Sequence, residues 1–254
     1  MLLTRFIPCL LLKNEGLVKT VNFRNPSYVG DPINTIRIFN EKEVDELILL
    51  DIEASPNNQE PNYKLLTEIA NECFMPLAYG GGIRTFEQAQ RIFSIGIEKV
   101  AINTAAHKNP DLISQIVTVY GSQAVVGAID VKKNLFGKYG VVSNSGNSRS
   151  KHTPVEWLKI LEDAGVGEVL LTNVNREGTW AGMDFDLIRE ISESSKVPVI
   201  AQGGAGSIDD LVNAIKIGRA DAVAMGSMVV YQKKGFGVLV NFPDKTLLEK
   251  RLKE

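Results

Sequence analysis

The chain has 254 residues, 44% of them hydrophobic and 23% charged, with a formal net charge of −2. That balance excludes a largely disordered chain, and it offers no electrostatic footprint for nucleic acid or an anionic membrane. Only two cysteines occur, Cys9 and Cys73, both in apolar strand-like or helical surroundings, which points to free thiols in a reducing, cytoplasmic setting.

The opening MLLTRFIPCLLLKNEG is broken by Arg5 and Pro8 and lacks a small-residue cleavage site, so it reads as a structural element and not as a signal. No stretch approaches eighteen uninterrupted apolar residues, and no membrane span is expected. FIPCLLL (6–12) is the first strand-like run, followed by the helical period of DPINTIRIFNEKEV (31–44). ELILLDI (46–52), MPLAYG (75–80) and KVAIN (99–103) follow, each ahead of an amphipathic stretch: 62–73, 85–96 and 109–121. The second part repeats the alternation with AVVGAID (124–130), EVLLTNV (168–174), VPVIAQG (197–203) and AVAMGS (222–227), separated by helical patterns at 153–165, 185–195 and 207–218. The apolar runs lack clean polar alternation, as parallel strands buried on both faces should. Eight strands alternating with helices in a chain of this length predict one (β/α)₈ TIM barrel over 1–254. A doubly wound open sheet is the alternative, but GxGxxG is missing after the first strand.

The two parts also resemble each other. YGGGIRT (79–85) aligns with QGGAGSI (202–208) and KVAINT (99–104) with AVAMGS, both at an offset of 123; VDELILLD aligns with VGEVLLTN at 122, and Leu11 falls on Asp130 at 119. A long-period repeat of this kind predicts two fused half-barrels, about 1–121 and 122–254.

Active sites of such barrels lie at the C-terminal ends of the strands. There each half offers a glycine run and a small or hydroxyl-bearing pair, both expected to begin a helix: Gly80, Gly81 and Gly82 with Asn103 and Thr104, and Gly203, Gly204 and Gly206 with Gly226 and Ser227. Glycines admit a close backbone approach, and helix-start N–H groups with hydroxyls bind phosphate; tight strand-to-helix turns are the structural alternative. Two such loops imply a phosphorylated small molecule spanning the mouth. Asp130 ends the fifth strand where a carboxylate suits acid–base work, and Asp51 ends the second with a similar claim. His107 and His152 are isolated, so neither a metal site nor a Ser–His pair is expected, and no cofactor is called for. At the opposite end Arg5, Glu46, Lys99 and Glu168 open four strands with alternating sign, a ring that would seal the bottom of the barrel or gate it.

Taken together, IPCL, DPINT, DELILLDI, GGGIRT, KVAINTAA, NPDLISQ, GSQAVV, AID, GEVLLTNV, REGT, VPVIAQGGAG and ADAVAMGS resemble the cyclase subunit of imidazole glycerol phosphate synthase, up to about residue 230. The resemblance implies a half-barrel repeat, a bisphosphorylated substrate, and a glutaminase partner docked at the N-terminal face that sends ammonia through the barrel. It makes Arg5, Glu46, Lys99 and Glu168 the ammonia gate, Asp130 one of two catalytic aspartates, and Lys19 the lysine of a mobile first loop. The glycine loops, Asn103, Thr104, Thr179 and Ser227 become phosphate contacts. The other aspartate of the family falls on Leu11, which can neither give nor take a proton. Asn175 and Glu177 replace further aspartates, Tyr79 and Gln202 end strands, Trp180 follows Thr179, and both SNSGNSRSK (143–151) and the tail 231–243 are unlike the family's. A kept bottom and a rewritten top resemble a paralogous branch that supplies ammonia to a sugar amidotransferase in bacterial surface-polysaccharide synthesis. The alternatives are a working histidine-pathway cyclase that uses Asp130 and Asp51, and a scaffold that only activates the glutaminase.

Overall fold

The computed structural model describes residues 4–134 and 136–254. Met1–Leu3, the start of the opening apolar run, and Leu135, at the end of VVGAIDVKKNL, lie outside the described residues. In chain order the elements are β1 (Arg5–Lys13), β2 (Gly16–Val21), β3 (Arg24–Gly30), α1 (Pro32–Glu41), β4 (Leu47–Asp51), α2 (Tyr63–Glu72), β5 (Leu77–Gly80), α3 (Phe86–Ile95), β6 (Lys99–Ile102), α4 (Thr104–Lys108), α5 (Asp111–Tyr120) and β7 (Val125–Lys133). They continue with β8 (Tyr139–Ser143), β9 (Ser148–Arg149), α6 (Pro154–Ala164), β10 (Glu168–Asn173), α7 (Phe185–Ser194), β11 (Val199–Gln202), α8 (Ile208–Lys216), β12 (Ala222–Met225), α9 (Ser227–Val230) and α10 (Lys245–Lys253).

Strands β1, β4, β5, β6, β7, β10, β11 and β12 pair in that order, all parallel, and β12 returns to β1. This is a closed (β/α)₈ barrel. Period-two alternation divides its residues. Ile7, Cys9, Ile48, Ala78, Ala101, Val126, Leu170, Ile200, Ala222 and Ala224 form a cluster inside the barrel. Their neighbours, such as Leu10, Leu49, Tyr79, Ile129 and Leu171, pack outward against the helices. Burial on both faces is why the strands read as continuous apolar runs.

Local signals fix the helix ends. Thr85 and Thr153 each close a capping box, with Gln88 and Glu156, and Gly96 and Gly165 end α3 and α6 in the left-handed conformation. The glycine runs do not begin helices as expected: α3 starts at Phe86 and α8 at Ile208, behind their caps Thr85 and Ser207. Those caps, and the positive-φ pairs Gly81 with Gly203 and Gly82 with Gly204, put the glycine motifs at an offset of 122, one less than the sequence alignment suggests. Asn103 and Gly226 do stand at helix starts, as N-caps of the short α4 and α9.

Two antiparallel excursions rise from the C-terminal end. β2–β3 extends β1, and β8–β9 extends β7, where the sequence suggested loops. Residues 16–30 carry polar and exposed positions plus Pro26, so they lack the pattern of a buried strand.

Candidate functional site

At the N-terminal end, Arg5 bonds Glu46 at 2.6 Å and Glu168 at 2.7 Å, while Lys99 bonds the same two carboxylates at 2.7 and 3.0 Å. The four side chains therefore form a closed ring of alternating charge across the lower opening. Burial would lower the Arg5 guanidinium, but Glu168 and Glu46 outweigh it and hold the group above its ordinary range. Removing two charges from water is costly, and only such mutual pairing offsets it.

The opposite end opens into a cavity of about 330 Å³ whose walls include Leu11, Leu50, Ala101, Asp130, Leu170 and Gln202. Asp130 accepts a hydrogen bond from Asn103 Nδ2 at 2.8 Å. Burial pushes its carboxyl up to about 7, against the opposing pull of the Thr172 hydroxyl and the Asn103 amide. A carboxyl that titrates near neutrality can both take and give a proton, as acid–base chemistry requires. Leu11 is buried at the matching place on β1, with apolar neighbours.

Asp51 also borders this cavity, but its carboxylate is bound to the loop after its strand. The alternation that turns Glu46, Ile48 and Leu50 inward turns Asp51 toward the helices. Its Oδ1 accepts from the Glu53 and Ala54 N–H groups at 2.9 and 3.0 Å, ordering the turn after β4. Tyr79, also at a strand end, is fully buried on the outer face and contributes nothing to the mouth.

The two glycine loops differ. Gly81, Gly82, Asn103 and Thr104 border the open cavity, but the Thr104 hydroxyl already accepts from the Asn144 N–H at 3.0 Å and the Gly82 N–H donates to Ser55 Oγ at 3.3 Å. Gly203, Gly204, Gly226 and Ser227 line a recess of about 20 Å³ together with Lys19 and Trp180. Gly206 packs against Trp180, with its missing Cβ 3.0 Å from the Trp180 carbonyl. Lys19 lies in β2, is 4% exposed, and donates to the Cys9 carbonyl at 2.6 Å, so its ammonium occupies part of this recess beside Gly226. Burial lowers the Lys19 amine and pushes the neighbouring Cys9 thiol up to about 11. Thr179 borders neither space: its hydroxyl donates to the Arg176 carbonyl at 2.7 Å and accepts from the Ala181 N–H.

One residue noted in the sequence only as a departure organises this face. Glu177 accepts from the Thr20 hydroxyl at 2.9 Å and the Phe23 N–H at 3.0 Å, and its own carbonyl accepts from the Asn22 N–H. It clamps the β2–β3 hairpin over the mouth. Burial raises its carboxyl, opposed by the Phe23 N–H and Lys19. His107 and His152, isolated in the sequence, are both brought against Trp157, with ring centroids 3.7 and 5.8 Å away. No group of three or more His, Cys, Asp or Glu side chains among the described residues could hold a metal, and no helix among them is long and apolar enough to cross a membrane.

A family model described as "Histidine biosynthesis protein" matches residues 5–235. The chain is 55% identical, over 96% of its length and 98% of the relative's, to the Pseudomonas aeruginosa protein named "Putative imidazole glycerol phosphate synthase subunit hisF2". It is 44% identical to a Leptospira borgpetersenii protein named as the HisF subunit, over 97% of each chain. The HisF subunit of imidazole glycerol phosphate synthase from Chlorobium phaeobacteroides is 41% identical over 92% of each chain. A closed barrel with a charge ring at one end and Asp130 at the other thus carries this relationship along nearly its whole length, and the chain belongs to the family of HisF-like cyclase subunits of imidazole glycerol phosphate synthase.

Proposed function

We propose that the chain, built of two repeated halves, is the ammonia-using subunit of a glutamine-dependent synthase of the imidazole glycerol phosphate synthase type. The observation that carries this reading is the pairing of opposite ends. The Arg5–Glu46–Lys99–Glu168 ring closes one end, and the other opens at a carboxyl that titrates near 7. Ammonia released by a glutaminase on the N-terminal face would pass the ring and the interior lined by Ala78, Ala101, Ala222 and Ala224. It would meet a phosphorylated acceptor at the mouth, where Asp130 moves the proton. The acceptor's phosphate groups would contact Gly81, Gly82, Asn103 and Thr104 on one side and Gly203, Gly204 and Ser227 on the other, once Lys19 withdraws. Asp51 and Thr179 have no direct part in this scheme.

The relatives' names favour the histidine-pathway acceptor. They lend no support to a sugar of surface-polysaccharide synthesis or to a sugar amidotransferase as partner. One observation favours a different acceptor: Leu11, which puts a hydrocarbon side chain at the strand position matching Asp130. The test is steady-state turnover of the histidine-pathway substrate with ammonium salt, comparing wild type, Asp130→Asn and Leu11→Asp. Wild-type turnover of about 1–10³ s⁻¹ that Asp130→Asn abolishes supports the histidine-pathway acceptor. Negligible turnover in all three, with glutaminase activation intact on mixing, supports a different one. No complex with a cognate glutaminase would overturn both.

A further inference from the structure

Beside the mouth, α4, the β8–β9 hairpin and the start of α6 border a second, open cavity of about 630 Å³, of whose lining the scheme above uses only Thr104. Lys108, Arg149, Lys151 and His152 line it, with the hydroxyls of Ser148 and Ser150, and no carboxylate does. The ion pairs among the described residues involve none of these cations. The nearby Glu156 carboxylate is occupied by the Thr153 N–H at 2.8 Å.

Unpartnered buried polar atoms converge on the same place. Trp157, 2% exposed, lines the cavity with its indole N–H unbonded, and His107 Nε2 and Asn144 Oδ1 also lack partners. A buried polar group left unpaired costs about 1–3 kcal/mol. The Trp157 indole N–H, and His107 Nε2 when it carries a proton, donate, whereas Asn144 Oδ1 accepts and calls for an occupant that also carries a hydroxyl or a protonated oxygen. Cations and hydroxyls without a competing acid define its charge.

We infer that this cavity binds a phosphate group, either free phosphate or that of a small phosphomonoester, at a site distinct from the mouth. The wall between the two spaces includes Ser55 and Thr104, which line both. The Asn144 N–H that holds the Thr104 hydroxyl belongs to the hairpin bordering the new site. An occupant of the side cavity therefore bears on the first glycine loop.

The two histidines of the chain both lie here, so a histidine-selective NMR spectrum reports on this site with two signals. Burial holds His107 down at about 4, and a bound dianion should raise it. Titrating inorganic phosphate, and in parallel ribose 5-phosphate, into the full chain should shift both imidazoles saturably and raise the His107 pKa. Tighter binding of ribose 5-phosphate identifies a phosphomonoester site, and equal binding a free-ion site. Arg149→Ala with Lys151→Ala, both exposed and so tolerant of truncation, should weaken binding by about tenfold or more while circular dichroism stays unchanged. Imidazoles unmoved by either compound would overturn the inference. So would a double variant that titrates like wild type, which would place the anion in the mouth.

Discussion

Leu11 and Asp130 hold the same place on opposite sides of the barrel. Leu11 pairs with Leu50 in the neighbouring strand, Asp130 pairs with Thr172, and Leu50 and Thr172 are themselves 122 residues apart, as are the paired glycines of the two loops. At these two matching places the cavity presents one carboxyl, Asp130, and opposite it the hydrocarbon side chain of Leu11.

The Asp130 carboxyl sets a pH dependence. In the folded chain Asp130 keeps its proton to about 7, whereas the unfolded chain releases it near 3.8. Between those values the folded state holds more protons, so stability falls as pH rises through that window, and the loss is complete above 7. At about 1.4 kcal/mol per pKa unit the cost by pH 8 is a few kcal/mol. Asp130→Asn should flatten the difference in melting temperature between pH 5 and pH 8 and slow ammonia-dependent turnover by about 10²–10⁴-fold. At constant free ammonia, a wild-type rate that rises through pH 7 and loses that inflection in Asp130→Asn identifies Asp130 as the base, and one that falls identifies it as the acid.

Installing the missing acid should make the mouth worse before it makes it better. Leu11→Asp places a second carboxyl opposite one that is already hard to ionise, and like charges push one of the pair further up. Urea unfolding should show a larger stability loss at pH 8 than at pH 5. Equal losses at both would mean that the two groups do not feel each other.

The charge ring should tolerate loss of one member poorly. Glu46 is 3% exposed and serves both Arg5 and Lys99, so Glu46→Gln leaves two cations short of a partner. The cost should fall somewhat below the roughly 3–5 kcal/mol of a fully buried pair, because Arg5 keeps 25% of its side chain exposed. Chemical denaturation measures it. On the proposed reading, in which only glutaminase-derived ammonia passes the ring, the ratio of glutamine-driven to ammonia-driven turnover in a complex with a glutaminase should also change.

Glu177 should govern the β2–β3 hairpin. Glu177→Ala strands the Phe23 N–H and the Thr20 hydroxyl at a local cost of about 1–3 kcal/mol, and amide exchange over residues 16–30 should accelerate while the barrel strands stay protected. Uniform acceleration would show that the clamp supports the whole fold.

Two glycines separate crowding from strain. Gly96 and Gly203 have φ of 104° and 107°, yet a Cβ on Gly96 meets nothing within 4 Å, whereas one on Gly203 would lie 2.7 Å from the Asn173 carbonyl oxygen. Gly96→Ala should cost about 1 kcal/mol from the backbone alone. Gly203→Ala should cost clearly more, with thermal melts giving the difference.

The barrel was legible because its strands are apolar on both faces and its helices carry Thr, Ser and Gly at their ends. Thr85, Thr153 and Gly165 sit where the pattern puts them. Residues 16–30 were not legible: an excursion strand with solvent on one side and Pro26 inside it has no core pattern to display. The short α4 and α9 are a single turn or so, below the length at which a helical period shows. Asp51 borders the cavity, but the turn of its carboxylate toward the following loop was already legible. Glu46 in the ring and Asp51 at the mouth are five residues apart, and a strand cannot turn both inward. Lys99 and Asn103, four apart, obey the same rule and do share the interior side.

Lys19 gives the mouth a polarity. A cradle made of two like loops is palindromic: a molecule with similar groups at its two ends would lie in it either way round at nearly equal energy. With an amine seated in one recess and the other open to solvent, the two orientations stop being equivalent. On the proposed reading, a ligand entering this barrel meets unlike ends before any chemistry begins, and the cost of displacing a single lysine sets which end goes where.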